Sequence, residues 1–186
     1  MSNKQRKGPS KAELEAARGR QVADLAAPGL DLLFCGINPS LYSAAVGHHF
    51  ARPGNRFWPV LHAAGFTPRL LRPEEEGLLP SLGLGITNIV ARASASAAEL
   101  TPEELAAGGR ALEVKVAQLR PRVLAVLGVG AYRLAFGEPK AVLGPQARRL
   151  ADSSLWVLPN PSGLNAHFQL PELAALFGGL REALSR

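Results

Sequence analysis

The chain has 186 residues, 47% of them apolar and 19% charged, and carries a formal net charge of +6. That length and composition fit one folded domain with a core of its own and exclude a disordered chain. No apolar run approaches the ~20 residues of a membrane span, and the polar amino terminus lacks a signal peptide's apolar segment, so an intracellular, cytoplasmic protein is expected. The positive balance fits a polyanionic partner. The single cysteine, Cys35, cannot form an internal disulfide, a cysteine zinc site or an iron–sulfur ligand set, and reads as a buried apolar filler.

Residues 1–9 hold Lys4, Arg6 and Lys7 with no apolar pattern and read as a basic flexible arm; residues 10–186 read as the domain. Ser10-Lys11-Ala12-Glu13 is a capping box, after which Leu14, Val22 and Leu25 offer an apolar helix face up to Pro28-Gly29. Leu30 to Cys35 is a buried strand. Asn38 to Gly54 has no clear period and reads as a long loop, a length that is usually functional or disordered. Asn55 caps a short helix, Arg56 to Ala64, ended by Gly65, and Pro73 with Glu74, Glu75 and Glu76 opens another. Ile86 to Val90 is the second strand. Thr101-Pro102-Glu103-Glu104 caps a helix to Leu119, in which Gly108 and Gly109 mark close packing or a kink.

Val123 to Leu127 is a third strand and Ala131 to Phe136 a short helix. Arg148 to Leu150, Asp152-Ser153-Ser154 and Leu155 to Leu158 read as an edge strand, a turn and strand four, and Pro171 opens the last helix. Strands alternating with helices give the expected fold: an α/β single domain with a central, mostly parallel four-stranded sheet flanked by helices on both faces.

Two polar loops follow apolar strands: Gly36-Ile37-Asn38-Pro39-Ser40 and Asn160-Pro161-Ser162-Gly163-Leu164-Asn165. Ligands of open α/β sheets bind at the carboxyl edge, so the two loops are expected to meet over one pocket. Gly128-Val129-Gly130 offers a rival, a nucleotide-binding turn, but the third glycine of that fingerprint would fall at Arg133 and no acid-tipped second strand follows. The adjacent His48 and His49 point apart and find no cysteine or acid pair, so no metal site is expected.

These two loops, together with Phe50-Ala51-Arg52-Pro53-Gly54-Asn55-Arg56-Phe57-Trp58, resemble the mismatch-specific uracil/thymine-DNA glycosylase family of the uracil-DNA glycosylase superfamily, over roughly Leu30 to Leu184. The resemblance implies a monofunctional enzyme of base-excision repair. Its partner would be double-stranded DNA containing mismatched or damaged bases, and it would act as a monomer with no cofactor. It would swing a uracil out of the stack and hydrolyse the bond from N1 to deoxyribose C1′, leaving an abasic site.

In that reading Asn38 positions the attacking water; an amide accepts from water but cannot take its proton, which makes for a slow enzyme. The alternative is a turn asparagine bonding its own backbone. Gly36, Ile37, Pro39 and Ser40 line the base pocket, where the small Ser40 leaves room for a 5-substituent. Phe50 stacks on the base, Asn88 reads its edge and Asn160 lies in the same pocket. Leu164 is the wedge that fills the gap left by the flipped base, flanked by Pro161, Ser162, Gly163 and Asn165 as opposite-base contacts.

Some relatives carry a carboxylate where Ala91 stands, and Ala91 and Ala93 share a face opposite Arg92 in an extended segment. Three readings follow: Asn38 acts alone, an acid comes from elsewhere, or an alanine at 91 or 93 replaces a natural carboxylate and marks a catalytic position. A catalytically inactive mismatch- or DNA-binding module of the same fold is the alternative function.

Overall fold

The computed structural model describes residues 8–185. Of the expected basic arm, residues 1–7 lie outside the described residues. Five strands form one sheet: β1 (Leu32–Gly36), β2 (Leu84–Asn88), β3 (Val123–Leu127), β4 (Gly144–Leu150) and β5 (Ser153–Leu158), in the order β2-β1-β3-β5-β4. β1 pairs in parallel with β2 and β3, and β3 with β5; β4 returns antiparallel on β5. All four parallel strands therefore end on the same edge.

The expected count of four strands is corrected to five. β4 is a full strand from Gly144, although its sequence, Gly-Pro-Gln-Ala-Arg-Arg-Leu, has no apolar alternation. Its long polar side chains cover the surface instead: the Arg148 guanidinium sits 5.4 Å from the Phe136 ring centroid and bonds Glu113 Oε1 at 2.5 Å.

Side chains alternate across the sheet and build two cores. Leu32 and Phe34 of β1 pack with Phe57 and Leu61 of α3 (Phe57–Ala63) and with Phe177 and Leu180 of α6 (Leu170–Leu184). Leu33 and Cys35 face the other way, toward Leu112 and Val116 of α4 (Pro102–Leu119) and Tyr132 of α5 (Val129–Phe136). Cys35 is fully buried, and burial pushes its thiol pKa up.

Two expectations near the amino terminus are corrected. α1 spans only Lys11–Ala16, capped by Ser10 and Glu13 as the sequence predicts. It stops because Gly19 turns left-handed (φ 76°) and its N–H leaves the helix for the Ala93 carbonyl, while Leu25 bridges to Ile86 at the sheet edge. The supposed loop from Asn38 to Gly54 contains α2 (Leu41–Val46), capped by the Ser40 hydroxyl on Ser43 N at 3.1 Å.

Gly108 and Gly109 mark close packing in an unbroken helix. A Cβ on Gly108 would stand 2.3 Å from the Ile89 carbonyl oxygen, and one on Gly109 2.2 Å from that of Ala135. Alanine's helix propensity would favour Gly109→Ala by ~1 kcal/mol, but overpacking against a backbone carbonyl costs up to ~3 kcal/mol or more, so the clash wins. We expect Gly109→Ala to lower stability by about 1–2 kcal/mol in urea unfolding, whereas Gly178→Ala in α6, with open space around it, raises stability by about 0.5–1 kcal/mol. Equal effects at both sites would contradict the packing account.

Candidate active site

Past the ends of β1 and β2 the two chains keep running side by side. Ile89 N donates to Gly36 O (2.9 Å), Val90 N to Ile37 O (2.9 Å) and Ser94 N to Pro39 O (3.2 Å). Beside them opens a cavity of about 370 Å³. That lies within the range of small-ligand sites.

Its floor is Gly36, where a Cβ would meet Asn88 Oδ1 at 2.5 Å and Phe50 Cζ at 3.2 Å. Only glycine lets both side chains approach. Asn88 lines the cavity, and none of the described residues hydrogen-bonds its side-chain amide.

Asn38 is held from one side. Its Nδ2 donates to the Arg92 carbonyl at 3.0 Å and to Ser94 Oγ at 2.7 Å, and the Ser94 hydroxyl in turn donates to Ser96 O at 2.7 Å. A carbonyl can only accept, so the amide orientation is fixed and Oδ1 is left as the open acceptor. The turn reading, in which Asn38 bonds its own neighbours, does not describe this side chain: its partners are 54 and 56 residues away.

Phe50 stacks on Phe57 with ring centroids 4.0 Å apart and 24° between planes. Its backbone is left-handed, φ 52°, a strained conformation for a bulky residue. The peptides around it are pinned to hold it there. Glu76 Oε2 accepts from His49 N (2.8 Å), the His49 carbonyl accepts from Trp58 Nε1 (3.1 Å), and Ser43 Oγ accepts from Ala51 N (3.1 Å). The paired histidines are divided by this clamp: His48 Nδ1 meets Glu76 Oε1 at 3.0 Å, and His49 Nε2 reaches the Ala23 carbonyl at 2.9 Å.

The second loop closes the cavity with Asn160, Ser162, Leu164 and Asn165. Leu164 is 69% exposed. Short polar bonds shape the loop: Ser162 N to Asn160 Oδ1 (3.0 Å), Leu164 N to Ser162 Oγ (3.2 Å) and Asn165 Nδ2 to Asn160 O (3.0 Å). The Arg56 guanidinium binds the loop's carbonyls from below.

The sequence profile of the uracil DNA glycosylase superfamily matches residues 23–181. This chain belongs to that superfamily. The solution NMR structure of a proposed uracil DNA glycosylase from Methanosarcina acetivorans has a similar fold, with a TM-score of 0.56 at 20% identity, over 88% of this chain and 98% of that one.

As a superfamily member the chain gathers Gly36, Ile37, Asn38, Pro39, Ser40, Phe50 and Asn88 around one cavity with the second loop. Pro161 and Gly163 belong to that loop but do not line the cavity; Gly163 instead packs on Gly54, whose carbonyl would lie 2.5 Å from an added Cβ. Ala91 and Ala93 stand elsewhere, which corrects their placement as site positions. Ala91 is exposed outside the cavity, while Ala93 is fully buried among Ala17, Val22 and Ala44. The segment is not extended there, so the two do not share a pocket face.

The wall facing the cavity is Ser94 to Ala97, and no described residue lining it is acidic. Sequence reasoning missed Ser43, His49 and Ser94 as lining residues and Glu76 and Arg56 as braces. The rival nucleotide turn is covered, because the Ile37 side chain packs 3.2 Å from where a Cβ on Gly128 would stand.

The Asn38 partner segment is itself anchored. Arg92 grips Glu104 through Nε to Oε1 (2.5 Å) and Nη2 to Oε2 (2.9 Å), and Glu104 also accepts from Thr101 N (2.8 Å). The Arg92 guanidinium, then the Thr101 N–H, hold the Glu104 carboxyl at about 2, below the ordinary 4.5. A depressed folded-state value contributes stability that is full above about pH 4.5 and lost as pH falls through about 2. Glu104→Gln should therefore unfold at lower urea than the parent at neutral pH, and the gap should close between about pH 4.5 and 2. A gap independent of pH would contradict the assignment.

Proposed function

We propose that the chain is a monofunctional, mismatch-directed uracil-DNA glycosylase that flips uracil, and related mismatched or modified pyrimidines, from duplex DNA and hydrolyses the bond from N1 to C1′. Superfamily membership supports DNA glycosylase activity in general. The observation that carries the finer reading is Asn38, whose two N–H groups are consumed by Arg92 and Ser94 while Oδ1 is left open in the cavity. An acceptor so fixed can hold one water beneath C1′ without searching for its orientation.

In the proposed reaction the Asn38-held water oxygen bonds to C1′ as the bond to N1 breaks. The bonding pair leaves with the pyrimidine and the water's spare proton passes to solvent, because no described residue lining the cavity is a carboxylate that could take it. Asn88 presents an unpartnered amide, one donor and one acceptor face, to the pyrimidine's polar edge. Phe50, already stacked on Phe57, extends the stack to the flipped base. Ser40 is small and its hydroxyl is tied back to Ser43, which leaves space for a 5-substituent. Absence of a general base typically lowers rates by ~10²–10⁴, so turnover should be slow.

The lack of a described acid in the cavity also favours a second reading, a recognition module that binds mismatched duplex without cutting it. Single-turnover release of uracil from a labelled U·G duplex separates the two. We expect slow release by the parent and a further loss of about 10²-fold in Asn38→Ala. No release by the parent despite salt-sensitive duplex binding would favour the module. Sodium borohydride should trap no covalent adduct, since no described lysine lines the cavity.

A further inference from the structure

The loop carrying Leu164 has no helix or strand of its own, yet a wedge must stand at a defined height to enter a base stack. Its internal bonds set its shape but not its place. Its place is set by two residues of one segment, Gly54 and Arg56. Gly163 packs directly on the Gly54 backbone, and Arg56 N donates to the Pro161 carbonyl at 2.9 Å. The Arg56 side chain then takes carbonyls on both sides of the wedge: Nη2 donates to Ser162 O (2.5 Å) and Asn165 O (2.8 Å), and Nη1 to Phe168 O. A planar fork spreads its donors over separate nitrogens and so reaches carbonyls that lie apart, whereas a lysine ammonium gathers its donors on one atom.

As a pure stabiliser this arrangement is poor. Arg56 Nε is buried with no partner, and no carboxylate among the described residues pairs with the guanidinium. A half-buried cation matched only by carbonyl dipoles carries a desolvation penalty that a neutral contact would avoid. We infer that Arg56 is a positioning residue: it seats the Leu164 loop before DNA arrives, and its unneutralised charge lies under backbone that faces the approaching phosphates. This inference rests on the glycosylase reading.

The test is a double-mutant cycle of Arg56→Ala and Leu164→Ala, read as single-turnover uracil release from a U·G duplex. If Arg56 acts through Leu164, removing the second side chain after the first changes little. Arg56→Ala should lose about 10- to 100-fold, the range for a misplacement of ~1 Å, and Arg56→Lys less. The double variant should fall within about twofold of Arg56→Ala. Losses that multiply, as they would if Arg56 served only folding, overturn the inference, as does release at the parental rate by Arg56→Ala.

Hydrogen exchange gives a second readout: the Leu164 and Asn165 amides should exchange faster in the variant while those of β1 and β3 do not. If circular dichroism shows Arg56→Ala unfolded, the cycle is run with Arg56→Lys. If the parent releases no uracil, the glycosylase reading fails by itself. The cycle is then scored on affinity for the same duplex, where non-additive losses support the seating role and additive losses overturn it.

Discussion

The site depends on the missing Cβ of Gly36. At the last residue of β1 the chain must admit the Asn88 amide from the neighbouring strand and the Phe50 ring from the loop above, and a methyl group there would meet both within 3.2 Å. Parallel pairing brings Gly36 opposite Asn88, so the register of the sheet itself delivers the two to one spot. From that point the rest follows. The two chains stay hydrogen-bonded past the sheet, Asn38 lands against Arg92 and Ser94, and the cavity opens beside them.

The cavity works through geometry more than through charge. Amides, hydroxyls and one strained aromatic line it, and most are braced: Asn38 by Arg92 and Ser94, Phe50 through the peptides beside it by Glu76, Trp58 and Ser43, and the Leu164 loop by Arg56, whereas the Asn88 amide has no partner among the described residues. The ionic groups act one layer back. Glu104 fixes Arg92, and Arg92 in turn presents the carbonyl that orients Asn38. Electrostatics is thus spent largely on rigidity: none of the described residues lining the cavity is acidic, and Arg52 is the arginine among them.

Much of this was legible in the sequence, and what was not has a common cause. The strands β1, β3 and β5 announced themselves as apolar runs, β2 was expected at Ile86 to Val90 and lies two residues earlier, at Leu84–Asn88, and α4 lay between its capping box and Pro121 as written. That Asn38, Phe50 and Leu164 share one cavity could be expected from the sequence, Asn38 and Leu164 because they lie in polar loops after strands and Phe50 because it belongs to the pattern that carries the resemblance. Arg56 was not, since its partners lie 106 to 112 residues away and are backbone carbonyls, which leave no trace in side-chain chemistry. Glu76 was hidden in a run of three acids of which it alone turns inward. Ala93 was misplaced because an extended backbone was assumed where the chain bends to trade hydrogen bonds with Gly19 and Arg20. β4 was undercounted because its partner, not its own pattern, makes it a strand.

Cys35 sits one residue before Gly36 with its side chain turned to the opposite core, fully enclosed between the sheet and α4. No local fraying reaches it, because the strand is paired on both sides and the thiol lies beneath a packed helix. A thiol-reactive reagent should therefore reach it only through an opening that unpacks the α4 side of the sheet. The one cysteine of the chain thereby reports that opening, and needs no label added to the protein surface.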